Sequence, residues 1–445
     1  MRNLLIASIL FGVLPFILWR ARIGVYAWAW IAMMVPHRLA YGFVQTMPFA
    51  QMVAVLTLIS TLFSRDKRPF PVNSITVVYV CFMLWMSVTC LFAMGRPEVV
   101  LDQWVFVLKI HFMLFITLIL LRGRQQIEIL IWITTLSIAY YGIKGGAFTL
   151  LTGGSSRVWG PPGGVISGNN ELGIALVMVM PFMYYLHQTM HRKLGRYAMA
   201  GAMALTCVGI LGTQSRGALL SIVAMALLLA MKGKNRIKTG LAILVLLGVA
   251  MMFMPDSWTN RMNSIQTYQQ DSSAMSRIYT WKTLWALALD RPITGAGFGT
   301  DNPVLFSMYA PPGGVEGYPA NVVFVAHSIY LQALGEHGFP GLALYLLLGL
   351  VTWRKAAAII KRTEKDPEYA DWVPLLMRMT QVSLVGFAVG GTFLTLVHFD
   401  LPYYIICYVV LVDATLRERA TTAGPRSSAG IAQINDPNST PSRIP

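Results

Sequence analysis

Charge is what this chain has least of. Charged side chains are 12% of its 445 residues, against roughly 25% in soluble globular domains. So little charge cannot cover a soluble surface of this size. That excludes a soluble enzyme, a secreted disulfide scaffold and a disordered protein. Cysteine is sparse as well. Cys81, Cys90, Cys207 and Cys407 all lie in apolar stretches with no CxxC, and they read as buried free thiols. Nucleotide and metal motifs are also missing. No GxxxxGK followed by Ser or Thr is present, so the chain encodes no ATP engine. Gly295-Ala-Gly297-Phe-Gly299 departs from dinucleotide-binding spacing and reads as a flexible turn. No HExxH or Cys/His cluster suggests zinc. No two Asp residues lie one residue apart, which removes the compact carboxylate site that holds a metal–nucleotide sugar. A two-carboxylate hydrolase has no local motif either. Neither a cofactor nor a metal is expected.

Apolar sequence is what is there, with 56% hydrophobic types and a mean hydropathy of +0.58. A helix needs roughly 20 apolar residues to cross a bilayer core. Candidate spans are 3–19, 23–35, 39–63, 74–94, 102–121, 129–151, 171–187, 197–213, 217–231, 239–254, 339–353, 373–397 and 399–413. Several are short, and 23–35 reads as half of a tight hairpin or an interfacial piece. The expected fold is an all-α, polytopic integral membrane helical bundle of about twelve transmembrane helices. The first apolar run, to Trp19, imitates a signal peptide, but no small-residue cleavage site follows and it is read as retained.

The net charge of +16 would suggest nucleic acid in a soluble domain. Here the bases fall in loops after alternate spans: 65–68, 122–124, 192–196, 232–238 and 354–362. The positive-inside rule places those loops in the cytoplasm, and no nucleic-acid partner is expected. The loops 95–101, 152–170, 213–216 and 255–326 then face outward. The chain divides into N-terminal transmembrane helices (1–254), one long outward loop (255–326), C-terminal transmembrane helices (327–413) and a tail (414–445). The tail is rich in Ser, Pro, Thr and Arg and is expected to be disordered and cytoplasmic.

The outward loop is too long for a connector. Within it, Ser276–Leu289 has helical spacing, with Ile278, Trp281, Trp285 and Leu289 on one face. That pattern predicts an amphipathic helix on the outer membrane surface. Pro161-Pro-Gly-Gly-Val165 recurs as Pro311-Pro-Gly-Gly-Val315, which reads as a repeated turn and not as a domain repeat.

Few outward residues are able to do chemistry. Arg216, in Gly212-Thr-Gln-Ser-Arg-Gly-Ala218, interrupts an apolar run from about 197 to 231. Ionisable groups at such depth usually face a partner or a cavity; the bland alternative is snorkelling to the headgroups. Arg277 lies on the expected loop helix, with Arg261, Lys282 and Arg291 near it in sequence. Four bases meet five acids over 255–326, so any anion site must use chosen arginines and not a general field. His327, in Val325-Ala-His-Ser-Ile-Tyr-Leu-Gln332, marks the start of a helix. The helix dipole there disfavours its charged form, leaving a nitrogen able to accept a proton near pH 7; the bland alternative is a His bonded to local backbone. Lys109 and His111 lie inside a span, where proton relay and lipid-phosphate contact are both open.

One chemistry fits this set. A lipid-linked diphosphate sugar already carries its leaving group, so no ATP is needed. Arginines bind and neutralise the diphosphate bidentately, and the histidine takes the proton of the attacking hydroxyl. Direct attack at the sugar carbon inverts its configuration.

Thr213-Gln-Ser-Arg216-Gly-Ala, then Arg277…Trp281…Asp290-Arg-Pro-Ile-Thr-Gly295-Ala-Gly297, then Ala326-His327-Ser-Ile-Tyr330…Glu336-His-Gly338 resemble the O-antigen ligase and polymerase superfamily. The resemblance covers most of the transmembrane chain in order. It implies a metal-independent glycosyltransferase of the bacterial inner membrane that moves glycan from undecaprenyl diphosphate to an acceptor on the periplasmic side, where the 255–326 loop would then lie. It also implies that His327 is the catalytic base and that Arg216 and Arg277 bind the diphosphate. Pro36-His-Arg-Leu39…Gly42-Phe43, Lys144-Gly-Gly146 and Arg157-Val-Trp-Gly-Pro-Pro162…Asn169-Asn-Glu-Leu172 resemble one subgroup more closely, the O-glycosylation ligases associated with exosortase systems. The implied partners are the lipid-linked donor, a protein or lipid acceptor, and membrane lipids. Arg157, Lys109, Tyr330 and Arg291 are weaker substrate-binding candidates. A polymerase, whose acceptor is a second lipid-linked repeat unit, shares the two-arginine logic. A polysaccharide transporter would spread ionisable residues through several spans, and only Lys109 and His111 do so here.

Overall fold

The protein is described here from a computed structural model, which covers residues 2–232, 248, 272–316, 318–319 and 322–422. Apart from 248, the expected span 239–254 lies outside the described residues, as do Trp258, Arg261 and the tail beyond 422. Among those described, apolar runs form helices and no strand occurs. In chain order they are α1 (Arg2–Trp19), α2 (Ala21–Met34), a 3-10 turn (Pro36–Leu39), α3 (Phe43–Thr46), α4 (Phe49–Phe63), α5 (Ser74–Cys90), α6 (Pro97–Leu120), α7 (Arg124–Leu151), α8 (Asn169–Thr189), α9 (Lys193–Gly212) and α10 (Arg216–Lys232). There follow α11 (Ser272–Asp290), α12 (Pro303–Tyr309), α13 (Ile329–Thr363), α14 (Val373–Gly390), a 3-10 turn (Gly391–Phe393) and α15 (Asp400–Thr422).

Among the described residues, 6 helices are long and apolar enough to cross a membrane: α6, α7, α8, α9, α13 and α14 with its 3-10 extension. Helices α1, α4, α5 and α10 are apolar but shorter. The expected 39–63 span is broken, because Gly42 turns at φ 66° and Pro48 precedes α4 without an N–H to donate. Helix α13 begins at Ile329, next to the helix start expected at His327 and well before the apolar 339–353 segment. It bends at Gly338, whose φ is 66°, just before Pro340. Helix α15 runs on to Thr422, past the point where the tail was expected to begin.

Helix α15 is the central post. Tyr403, Tyr404 and Tyr408 are among the largest fully buried side chains, and Tyr403 stacks on Tyr79 of α5 at 5.5 Å between centroids. Helices α7 and α9 approach so closely that a Cβ on Gly146 would lie 1.9 Å from the Leu205 carbonyl oxygen. Small residues permit this approach, which gives the Lys144-Gly-Gly146 motif a packing role.

Ion pairs between distant segments collect at one end of the bundle. At one end Arg124 pairs with Glu128 and Asp371 at 2.8 and 2.7 Å. There Arg122 meets Glu418 at 3.0 Å, and Lys355 and Arg417 meet Asp413 at 3.2 and 2.9 Å. At the other end lie the starts of α6, α8, α10, α13 and α15. There Arg38 approaches Gly163, so two of the subgroup-like motifs meet.

Candidate functional site

Arg216 opens α10 after a turn built from buried Thr213, Gln214 and Ser215. Gln214 has φ 53°, a left-handed conformation that costs a non-glycine residue about 1–2 kcal/mol. The loop 152–168 and its neighbours brace it. Gln214 Nε2 donates to the Gly154 carbonyl at 3.2 Å, and Arg157 Nε donates to Gln214 Oε1 at 3.3 Å. Asn169 Nδ2 donates to the Thr213 carbonyl at 2.8 Å. Arg216 is thereby fixed at a helix N-terminus, where backbone N–H groups and the dipole add to its positive charge.

Arg277 comes from α11. This helix buries Ser276, Thr280, Thr283, Leu284, Leu287 and Ala288, while Trp285 and Leu289 stay 50% and 61% exposed. The expected apolar face therefore splits: Trp285 and Leu289 face away from the protein, and Ile278 and Trp281 turn toward a cavity. That cavity, about 280 Å³, is lined by Asn170, Ser215 and Arg216, by Arg277, Ile278 and Trp281, and by Phe393 and Leu394 beyond α14. Two arginines from distant segments thus share one small space with an apolar wall. Glu171, at the start of α8, lies within electrostatic reach of Arg277.

His327 stands beside this cavity and does not line it. Its backbone has φ 46°, and its N–H donates to Thr395 Oγ1 at 2.9 Å. Trp281 Nε1, on the cavity wall, donates to the neighbouring Ala326 carbonyl at 3.0 Å. The imidazole Nδ1 is buried and has no hydrogen-bond partner among the described residues. Burial, then the Arg277 charge, lower the His327 pKa to about 4. Desolvation and the neighbouring cation thus keep the ring neutral at pH 7.

None of the weaker candidates lines the cavity. Arg157 is exposed and reaches it only through Gln214. Arg291 Nη2 donates to the Phe92 carbonyl at 2.7 Å, tying the end of α11 to the turn after α5. Tyr330 Oη donates to the Ala388 carbonyl at 2.7 Å, tying α13 to α14. Lys109 is exposed on the side of α6. Sequence reasoning passed over Phe393, Leu394 and Thr395; the only local signal was the glycine pair Gly390-Gly391 ending an apolar run. It also missed a grouping next to the site, Glu336, His337 and His398, whose potential ligand atoms lie within 4.8 Å of one another.

Residues 1–191 match a family of unknown function, and no curated protein matches the chain. Residues 201–346 match the O-antigen ligase family. The segment that carries Arg216, Arg277 and His327 is thus similar to the O-antigen ligases, a likeness that supports the ligase and polymerase superfamily for this part of the chain.

Proposed function

We propose that this chain is a glycosyltransferase that moves a glycan from undecaprenyl diphosphate to an acceptor hydroxyl at the periplasmic face of the bacterial inner membrane. It would do so as a bundle of about twelve crossings, with its basic end in the cytoplasm. The observation that carries the reading is the convergence of Arg216 and Arg277 on one cavity, beside a histidine kept neutral.

The diphosphate sits between the two guanidiniums, and its lipid runs along the apolar wall. His327 takes the proton from the acceptor hydroxyl as that oxygen attacks the anomeric carbon. The bond from that carbon to the diphosphate oxygen breaks, and undecaprenyl diphosphate leaves with its charge neutralised by the arginines. The configuration inverts, and no nucleotide or catalytic metal takes part. A base of pKa about 4 is weak, but the bound diphosphate offsets the Arg277 charge and raises it, so the donor strengthens the base it needs. An acceptor on a protein or glycolipid makes the chain a ligase. A second lipid-linked repeat unit as acceptor makes it a polymerase. The resemblance of the 36–43, 144–146 and 157–172 segments is the support for an exosortase-associated ligase.

The test is purified chain in liposomes with undecaprenyl-diphosphate glycan and candidate acceptors, without nucleotide or added divalent metal. Transfer is expected, and a folded His327→Ala variant should lose about 100-fold or more. Undiminished transfer in that variant would remove His327 from the mechanism.

A further inference from the structure

We propose that Glu336, His337 and His398 form a divalent-metal site, with zinc as the ion, tying α13 to the segment that leads into α15. The inference stands independently of the glycan-transfer reading.

The three side chains come from two places far apart in sequence. Glu336 and His337 end the first part of α13, directly before its bend at Gly338. His398 lies just before α15. Glu336 and His337 are buried, and all three ligand atoms lie within 4.8 Å. His398 Nε2 is 2.8 Å from Glu336 Oε2, and His337 Nε2 is 3.6 Å from the same oxygen. Zinc bonds of about 2.0–2.2 Å in tetrahedral geometry place neighbouring ligand atoms roughly 3.3–3.6 Å apart. The 3.6 Å separation falls in that range, and the 2.8 Å hydrogen bond between His398 and Glu336 would open to admit the ion. The longer one is too long for a hydrogen bond.

A buried nitrogen without a partner supports an ion between them. The Thr89 oxygen lies 3.0 Å from the Met86 carbonyl oxygen and 2.7 Å from His337 Nδ1. The other ring nitrogen, His337 Nε2, is fully buried, has no hydrogen-bond partner and lies 3.6 Å from the Glu336 carboxylate. Outer partners are those a metal ligand needs: Thr89 orients His337, and Gln332 Nε2 donates to Glu336 Oε1 at 3.2 Å. The Phe298 ring covers both imidazoles at 5.0 and 5.3 Å.

None of the three residues lines the cavity, so the ion is a tie and not a reactant. Val397 N–H donates to Gln332 Oε1 at 3.1 Å, and Thr395, three residues before His398, holds the His327 backbone. The site therefore fixes the segment against which His327 is set.

The test reads metal, not activity. Chain purified in detergent from zinc-supplemented cells and dialysed extensively should hold about one zinc per chain by mass spectrometry of the metal, the stoichiometry of a single site. Glu336→Gln and His398→Asn should each hold less than about a tenth of that, while a His187→Asn, His191→Asn double variant keeps it. In case the variants fold poorly, metal-stripped wild type is titrated with Co2+ alone, and a visible absorption band of tetrahedral cobalt is expected. Wild type without zinc and without that band would overturn the proposal. Loss of zinc in the surface-histidine variant instead would do the same.

Discussion

His327 stays neutral well below the usual imidazole range because of burial and the nearby Arg277 charge. Its charged form is the one the fold disfavours, so the neutral base persists as pH falls to about 4. The acid limb of kcat/KM is expected near that value, not near 6.5. In Arg277→Gln, with the opposing charge gone, the limb should move to higher pH. An unshifted limb would contradict the coupling. Because the folded pKa lies below the unfolded one, His327 makes the fold lose stability as pH drops from about 6.5 toward 4. Arg216→Gln and Arg277→Gln should each lower kcat/KM for the donor by roughly 10²–10³-fold, the usual effect of losing one charge-stabilising group, measured at saturating acceptor. Arg216, Arg277 and His327 were legible in the sequence because each is a polar residue where an apolar or loop pattern changes. Thr395 and the Glu336–His337–His398 grouping were not, since their meaning comes from partners brought close only by folding.

Two glycines carry the geometry of the elements. Gly146 lets α7 and α9 touch, and the Ala substituent would sit 1.9 Å from the Leu205 carbonyl oxygen. Gly338 bends α13 at φ 66°, and a Cβ there would lie 2.3 Å from the Ile293 carbonyl oxygen. Gly146→Ala and Gly338→Ala are each expected to destabilise by about 1–3 kcal/mol or more, read as a lower Tm in detergent beside an exposed control, Gly201→Ala, which meets nothing within 4 Å. Equal Tm values would contradict this packing. Hydropathy located most helices but not their breaks. The interruption of 39–63 depends on Gly42 and Pro48. The early start of α13 depends on a Ser328 cap whose hydroxyl accepts from the Leu331 N–H at 3.4 Å. Hydropathy alone reports neither feature.

Over the whole molecule, the alternation of basic loops remains the basis for the proposed orientation of the bundle. The number of crossings was less accessible, because α15 is buried on every side from Asp400 to Leu416 and α2 is short. Once a helix is covered by protein, neither length nor hydropathy reports its relation to lipid. In a cysteine-free background, Ser155→Cys should react with a membrane-impermeant thiol reagent added outside intact inner-membrane cells, and Lys365→Cys should not; both positions are exposed. The reverse pattern would invert the topology. The most direct measurement follows both products of one turnover in liposomes that hold only this chain, undecaprenyl-diphosphate glycan and an acceptor. Glycan on the acceptor, with inverted configuration, should appear in equal amount with free undecaprenyl diphosphate. Release of the lipid diphosphate without glycan transfer, or transfer with retained configuration, would contradict the proposed function.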